Sequence, residues 1–257
     1  MWARGPRPGV DSHRLSTDHF AMSYERSGAW TVDHALRVLA TGCAEWQRPV
    51  PAAGAVVLGP DALMLRLTTP DETPPPGWIA EDNGRTWLAS LPWLESAAVD
   101  DRVAEPYPLL VSAGAIDAGR LLLNLAAADG LIGLDGDIEL ARNLARSWSR
   151  RLTSSPWTAG SPVIRVGFPP DPDFGGWDVS RLVEVTPVLE EAERGILIFA
   201  DRPLGRDVYQ VERLLAEPVR RWTVVAVGPG DATWRFTVRP DGTVETGLLR
   251  DPVRLRG

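Results

Sequence analysis

Gly130-Leu131-Ile132-Gly133-Leu134-Asp135-Gly136-Asp137-Ile138-Glu139 is the stretch that decides the fold. Its first five residues are apolar without alternation, the pattern of a strand covered on both faces. Asp135-Gly136-Asp137 then turns the chain. From Ile138 to Leu152 the apolar residues Leu140, Ala141, Leu144, Ala145, Trp148 and Leu152 fall on one broad side, the pattern of an amphipathic helix. A buried strand running straight into a helix predicts an α/β layout.

The chain on the C-terminal side repeats this grammar. Val163–Phe168 is a strand, followed by a Pro/Gly/Asp loop from Pro169 to Trp177. Val188–Glu193 is a short helix, Gly195–Ala200 an apolar strand, Tyr209–Leu215 a helix and Thr223–Val227 a strand. Trp234–Val238 and Val244–Leu248 pair around Pro240-Asp241-Gly242. Strands alternating with helices predict a mainly parallel sheet with helices on both faces.

On the N-terminal side the grammar is different. Leu109–Ala113 and Leu121–Leu125 flank Asp117-Ala118-Gly119, Trp78–Ala80 and Thr86–Ser90 flank Asp82-Asn83-Gly84, and Ala55–Leu58 and Leu63–Thr68 flank Gly59-Pro60-Asp61. Each reads as a hairpin. Before them, Thr31–Gln47 is a helix with Leu36, Val38, Leu39, Cys43 and Trp46 on its apolar stripe, stopped by Pro49 and Pro51. The expected organisation is a mobile tail over 1–27, a helix plus small antiparallel β unit over 28–105, and an α/β domain over 106–257. Met22 is an alternative natural start, with the first 21 residues as an upstream extension.

Composition narrows the chemistry. The chain has no lysine, so all 27 basic residues are arginine. There is thus no ammonium to grip a phosphate, form a Schiff base or act as a lysine base. The net charge of −7, without a basic stripe, argues against nucleic-acid binding, which depends on neutralising phosphates. Arg142, Arg146, Arg150 and Arg151 stand at helical spacing behind Glu139 and read as a solvated face. No apolar run is long enough for a membrane helix, and a cytoplasmic location is expected. Cys43 is alone, so no internal disulfide is possible. His13, His19 and His34 all precede residue 35, and no metal-binding histidine motif is present.

The stretch Leu109 to Arg146 resembles the start of the motor domain of FtsK/SpoIIIE-type ATPases. The residues that carry the likeness are Leu109–Ala113, Ile116-Asp117-Ala118-Gly119-Arg120, Leu121–Leu125, Gly130–Leu134 and Ile138–Leu152, in that order. Ile196-Leu197-Ile198-Phe199-Ala200-Asp201 is similar to a Walker B strand. The likeness spans roughly Tyr107 to Val227 and implies a RecA/P-loop-like fold with phosphates held at the start of the helix. The Gly119–Asp137 stretch and the Trp234–Gly242 hairpin also resemble actinobacterial proteins that join a degenerate domain of this kind to LysM or transcriptional-activator domains; this chain contains neither.

The departures from that pattern decide the expected function. Asp135, Gly136 and Asp137 occupy the degenerate Walker A position, where Gly-Lys-Ser/Thr is expected. Acids suit the positive helix end but repel a triphosphate, by about 1–4 kcal/mol for like charges ~4 Å apart. Asp201 occupies the Walker B-like position; its plainer reading is a polar residue ending a buried strand. Gly228 and Gly230, in Gly228-Pro229-Gly230-Asp231, are pocket candidates at a strand end. Asp171, Asp173 and Asp178 share one loop and read as solvated, with cation binding as the alternative.

The expected function is therefore a non-catalytic protein-interaction module, a pseudo-ATPase without cofactor. Its expected partner is another copy or an active ring ATPase. The alternatives are a small-ligand sensor at the carboxyl edge of the sheet near Asp135, Asp201 and Gly228, and an enzyme using Asp135 and Asp201 with a metal.

Overall fold

The computed structural model describes residues 12–158, 160–249 and 252–255, with side chains except those of residues 12–27, 29 and 156. Residues 1–11 of the expected tail lie outside the described residues. Helix α1 runs Ser12–Glu45 and so begins well before Thr31. Then follow β1 (Ala53–Leu58), β2 (Ala62–Leu67), β3 (Ile79–Glu81), β4 (Thr86–Ser90) and α2 (Leu91–Ser96). β5 (Leu110–Ile116) and β6 (Gly119–Asn124) lead to β7 (Leu131–Gly136) and α3 (Ile138–Ser154). β8 (Val163–Val166), β9 (Trp177–Val179), α4 (Thr186–Glu191), β10 (Gly195–Phe199), α5 (Arg206–Leu215) and β11 (Trp222–Val227) come next. β12 (Trp234–Val238), β13 (Thr243–Glu245) and β14 (Val253–Arg254) close the chain.

Among the described residues, all fourteen strands join one sheet, in the order β3-β4-β2-β1-β6-β5-β14-β13-β12-β7-β11-β10-β8-β9. Pairing is antiparallel from β3 as far as β12. It is parallel from β12 onward, through β7, β11, β10 and β8 to β9. The expectation of a mainly parallel sheet is therefore corrected: the sheet is mixed and mostly antiparallel. The cause is that the N-terminal hairpins do not form a separate unit. β1 pairs with β6, and β14 bridges β5 to the closing hairpin, so every hairpin extends the one sheet.

The parallel strands show why continuous apolar runs are needed. On one face Ile132, Leu134, Ile196, Ile198, Val225 and Val227 pack with Ala141, Leu144, Ala145, Trp148 and Leu152 of α3. On the other, Ile164, Val166, Leu197, Phe199, Val224 and Ala226 pack with Leu189 of α4 and with Val211 and Leu214 of α5. Each such aliphatic side chain contributes about 1.5–3 kcal/mol when fully buried. In the antiparallel half, α1 lays Val32, Leu36, Leu39 and Cys43 against Val56, Leu63, Leu65, Trp87 and Leu122. Trp46, expected on that stripe, is 58% exposed, because the helix ends at Glu45 and Gln47 turns the backbone to φ 52°. The Asp82-Asn83-Gly84 turn has positive φ at all three residues, a backbone that Asp, Asn and Gly adopt more readily than other residues.

Candidate functional site

The carboxyl ends of β7, β10 and β11 lie at one edge of the parallel strands, and this edge gathers Asp135, Gly136, Asp137, Asp201, Gly228 and Gly230. At its centre β7 passes into α3 with one residue between them. β7 stays paired with β12 to its last residue, Gly136 opposite Val238. The Asp137 N–H then donates to the Val238 carbonyl at 2.8 Å. Gly136 has φ 93°, and a Cβ there would stand 2.1 Å from the Val238 oxygen, so only glycine fits. Asp137 is the N-cap of α3, its carboxylate accepting from the Leu140 N–H at 3.0 Å. The helix N-terminus is thus capped by the chain's own acid, and no loop leaves room for backbone N–H groups to surround a phosphate.

The acids at this edge meet arginines. Arg142, one turn into α3, donates from Nη2 to Asp201 Oδ1 at 2.6 Å, from Nη1 to Glu139 Oε1 at 2.7 Å and from Nε to the Ala200 carbonyl at 3.2 Å. Asp135, 16% exposed, lies 3.4 Å from Arg235 Nε, and its buried Oδ1 accepts no hydrogen bond. Two arginines also hold the loop after β11. Arg202 donates to the carbonyls of Gly228 (3.2 Å) and Asp231 (2.9 Å), and Arg235 to that of Gly230 (2.8 Å). A Cβ on Gly230 would lie 2.5 Å from the Arg202 guanidinium, so this glycine makes room for the arginine. Arg202 Nη2 is buried without a partner.

Sequence reasoning found the acids and glycines of this edge but missed Arg142, Arg202 and Arg235. The available signals were slight: Arg202 directly follows Asp201, and Arg142 sits three residues after Glu139, where a helix brings the two side chains together. The α3 arginines, read as a solvated face, also reach across the fold: Arg142 to Asp201 and Arg150 to Asp171.

The Asp171, Asp173 and Asp178 loop is likewise not a plain solvated one. Arg165, on β8, has a fully buried side chain. It donates from Nε to Asp178 Oδ1 at 2.6 Å and from Nη2 to Asp178 Oδ2 at 2.5 Å, and its guanidinium carbon lies 3.8 Å from the Phe174 ring centre. Asp171 accepts from Arg150 at 2.7 Å and lies 3.6 Å from Arg165. The Arg150 hydrogen bond holds the Asp171 carboxyl below the usual range. Asp173 is exposed. Among the described residues, no three or more His, Cys, Asp or Glu side chains are grouped to hold a metal ion. Nor is any helix long and apolar enough to cross a membrane. Burial pushes the Cys43 thiol up to about 11, so it packs as a small apolar group. His34 is engaged with the Leu94 carbonyl at 2.9 Å and stacks on Trp30.

No protein-family model matches the chain, and no curated protein matches it either. Among solved structures, that of the pCW3 conjugation coupling protein TcpA, in its monomer form with ATPgS, aligns over 86% of this chain and 94% of that one, with 10% identity and a TM-score of 0.40.

Proposed function

We propose that this chain is a non-catalytic interaction module, a degenerate relative of the FtsK/SpoIIIE-type ATPase domain that keeps the layout as a docking surface. The observation that carries this reading is the capped joint between β7 and α3. Asp137 takes up the helix N-terminus, and Gly136 pairs with Val238 where a phosphate loop would need free backbone. The Asp201 carboxylate is engaged by Arg142, so a magnesium ion there would have to displace a charge-assisted hydrogen bond. The chain has no lysine, so no ammonium reaches for the terminal phosphates. A second copy of the chain or an active ring ATPase is the partner this reading names.

The test is isothermal calorimetry of the full chain with ATP and magnesium, alone and with a partner recovered by affinity capture. The expected result is no binding in either setting. Binding at micromolar strength would sink the proposal. A second reading, a small-ligand sensor at the same edge, is favoured by one pair of facts: Asp135 Oδ1 and Arg202 Nη2 are both buried and both lack a hydrogen-bond partner.

A further inference from the structure

Residues 97–108 join α2 to β5 without a helix or strand of their own and form a strap against α1. The Asp100 N–H donates to Thr41 Oγ1 at 3.0 Å, Arg37 donates to Glu105, and the Tyr107 hydroxyl donates to the Pro51 carbonyl at 2.8 Å. Ala97, Val99 and Tyr107 add apolar contact with the core under α1.

The Arg37 contact is unbalanced. Its guanidinium also donates from Nε to Asp33 Oδ2 at 3.2 Å, so one arginine serves two carboxylates. All three side chains are mostly buried. The Asp33 and Glu105 carboxyls lie within hydrogen-bonding reach of each other, and Asp33 Oδ1 is buried without a donor. With both acids ionised, one negative charge is uncompensated and a buried acceptor is unsatisfied. One proton taken up by the pair from water removes both faults, because a Glu105 O–H donates to Asp33 while Arg37 keeps its bond to each. Burial first, and then the Asp33 charge, accordingly push the Glu105 carboxyl up from its ordinary value. Asp33 and Arg37 are the charged groups that act on it. Within the strap, the Arg102 hydrogen bond holds the Asp100 carboxyl at about 2, and Asp101 is exposed.

We propose that the 97–108 strap is a proton-operated clasp, closed on α1 when Asp33 and Glu105 share a proton and loosened when both are ionised. It is independent of the pseudo-ATPase reading. A carboxyl raised in the closed state stabilises that state below its ordinary value of about 4.5 and loses the effect as the pH rises through the higher closed-state value. The test is hydrogen exchange of the full chain, read at the Asp100 and Val103 amides between about pH 7.5 and about pH 4.5 and corrected for the intrinsic pH dependence of exchange. Glu105→Gln and Asp33→Asn are measured alongside. Protection is expected to rise several-fold as the pH falls in the native chain, with no such rise in either variant. Glu105→Gln, which imitates the protonated acid, is expected to stay at the closed level throughout. If one variant fails to fold, the other decides. Native protection that stays flat or falls with falling pH overturns the proposal. So does a rise that survives in Glu105→Gln, as a contribution from His34 and its contact with the Leu94 carbonyl would leave.

Discussion

The turn after β7 and the turn after β8 leave the same edge of the same parallel strands, yet they are held by opposite means. After β7 the chain is fixed locally: Gly136 bends, Asp137 caps, and every partner lies within four residues or on the adjacent strand β12. After β8 it is fixed by a buried charge. Arg165 on the strand reaches forward to Asp178 and Asp171 and is covered by Phe174. The first arrangement needs only the backbone's own unsatisfied groups. The second adds a desolvated guanidinium that must find its carboxylates, beside the β8–β9 pairing that sets Arg165 opposite Asp178. A locally capped turn therefore loses little when one side chain is removed, and a charge-stapled loop loses much.

Arg165→Met puts the largest strain on that contrast. It leaves Asp178 buried at 15% side-chain exposure, with the Asp171 N–H at 3.0 Å as its remaining donor. Removing one partner of a buried ion pair costs about 3–5 kcal/mol. Chemical denaturation of the variant is expected to show a loss of that size. The double variant Arg165→Met/Asp178→Leu is expected to recover most of it, because an apolar pair carries no unpaired charge. Equal losses in the single and double variants would show that the aromatic packing of Phe174 on the arginine, rather than its charge, holds the loop.

Asp137→Ala tests the local side of the comparison. It removes one cap hydrogen bond and a negative charge from the helix end, an expected loss of about 1 kcal/mol. Asp137→Ser is expected to restore most of it, as serine caps with its hydroxyl. A loss as large as that of Arg165→Met would mean that the β7–α3 joint depends on more than its cap.

The same contrast explains what was legible in the sequence. From Gly130 to Leu152 the strand and the helix were readable because their patterns are local, although β7 runs on through Asp135 and Gly136, which were expected in the turn, and the Asp137 cap was not read. The hairpins were readable for the same reason, from Asp82-Asn83-Gly84 and Gly59-Pro60-Asp61. The parallel alternation of β7, β8, β10 and β11 was also local in origin. What was not legible was the joining of the hairpins to it: β1 meets β6, and β14 meets β5, across long stretches of chain. Two-residue β14, paired with β5 and β13, and three-residue β9, an edge strand on β8, are too short for a periodicity to announce them. At the candidate site the acids and glycines were visible as a strand-end cluster. Their arginines were not, because an arginine's partner is set by the reach of its side chain across the fold. Arg142 and Asp201 are 59 residues apart in sequence.

Acid titration carries the smallest expected effect and separates the two turns in a different way. Asp171 has a carboxyl held below the usual range, first by the Arg150 hydrogen bond and against the opposing effect of burial. A carboxyl depressed in the folded state adds stability above its ordinary value of about 4 and loses it as the pH falls through the lower folded value. The thermal midpoint is therefore expected to be flat with respect to Asp171 at neutral pH and to fall below about pH 4. Asp171→Asn is expected to reduce the steepness of that fall while lowering the midpoint at pH 7 only modestly, since Arg150 is 57% exposed and its bond to Asp171 is screened by solvent. A variant that unfolds with the wild-type pH dependence would show that Asp171 contributes nothing through its charge. The Arg165–Asp178 pair would then be the charge that holds the loop after β8, beside the β8–β9 backbone pairing, which would sharpen the contrast with the capped turn after β7.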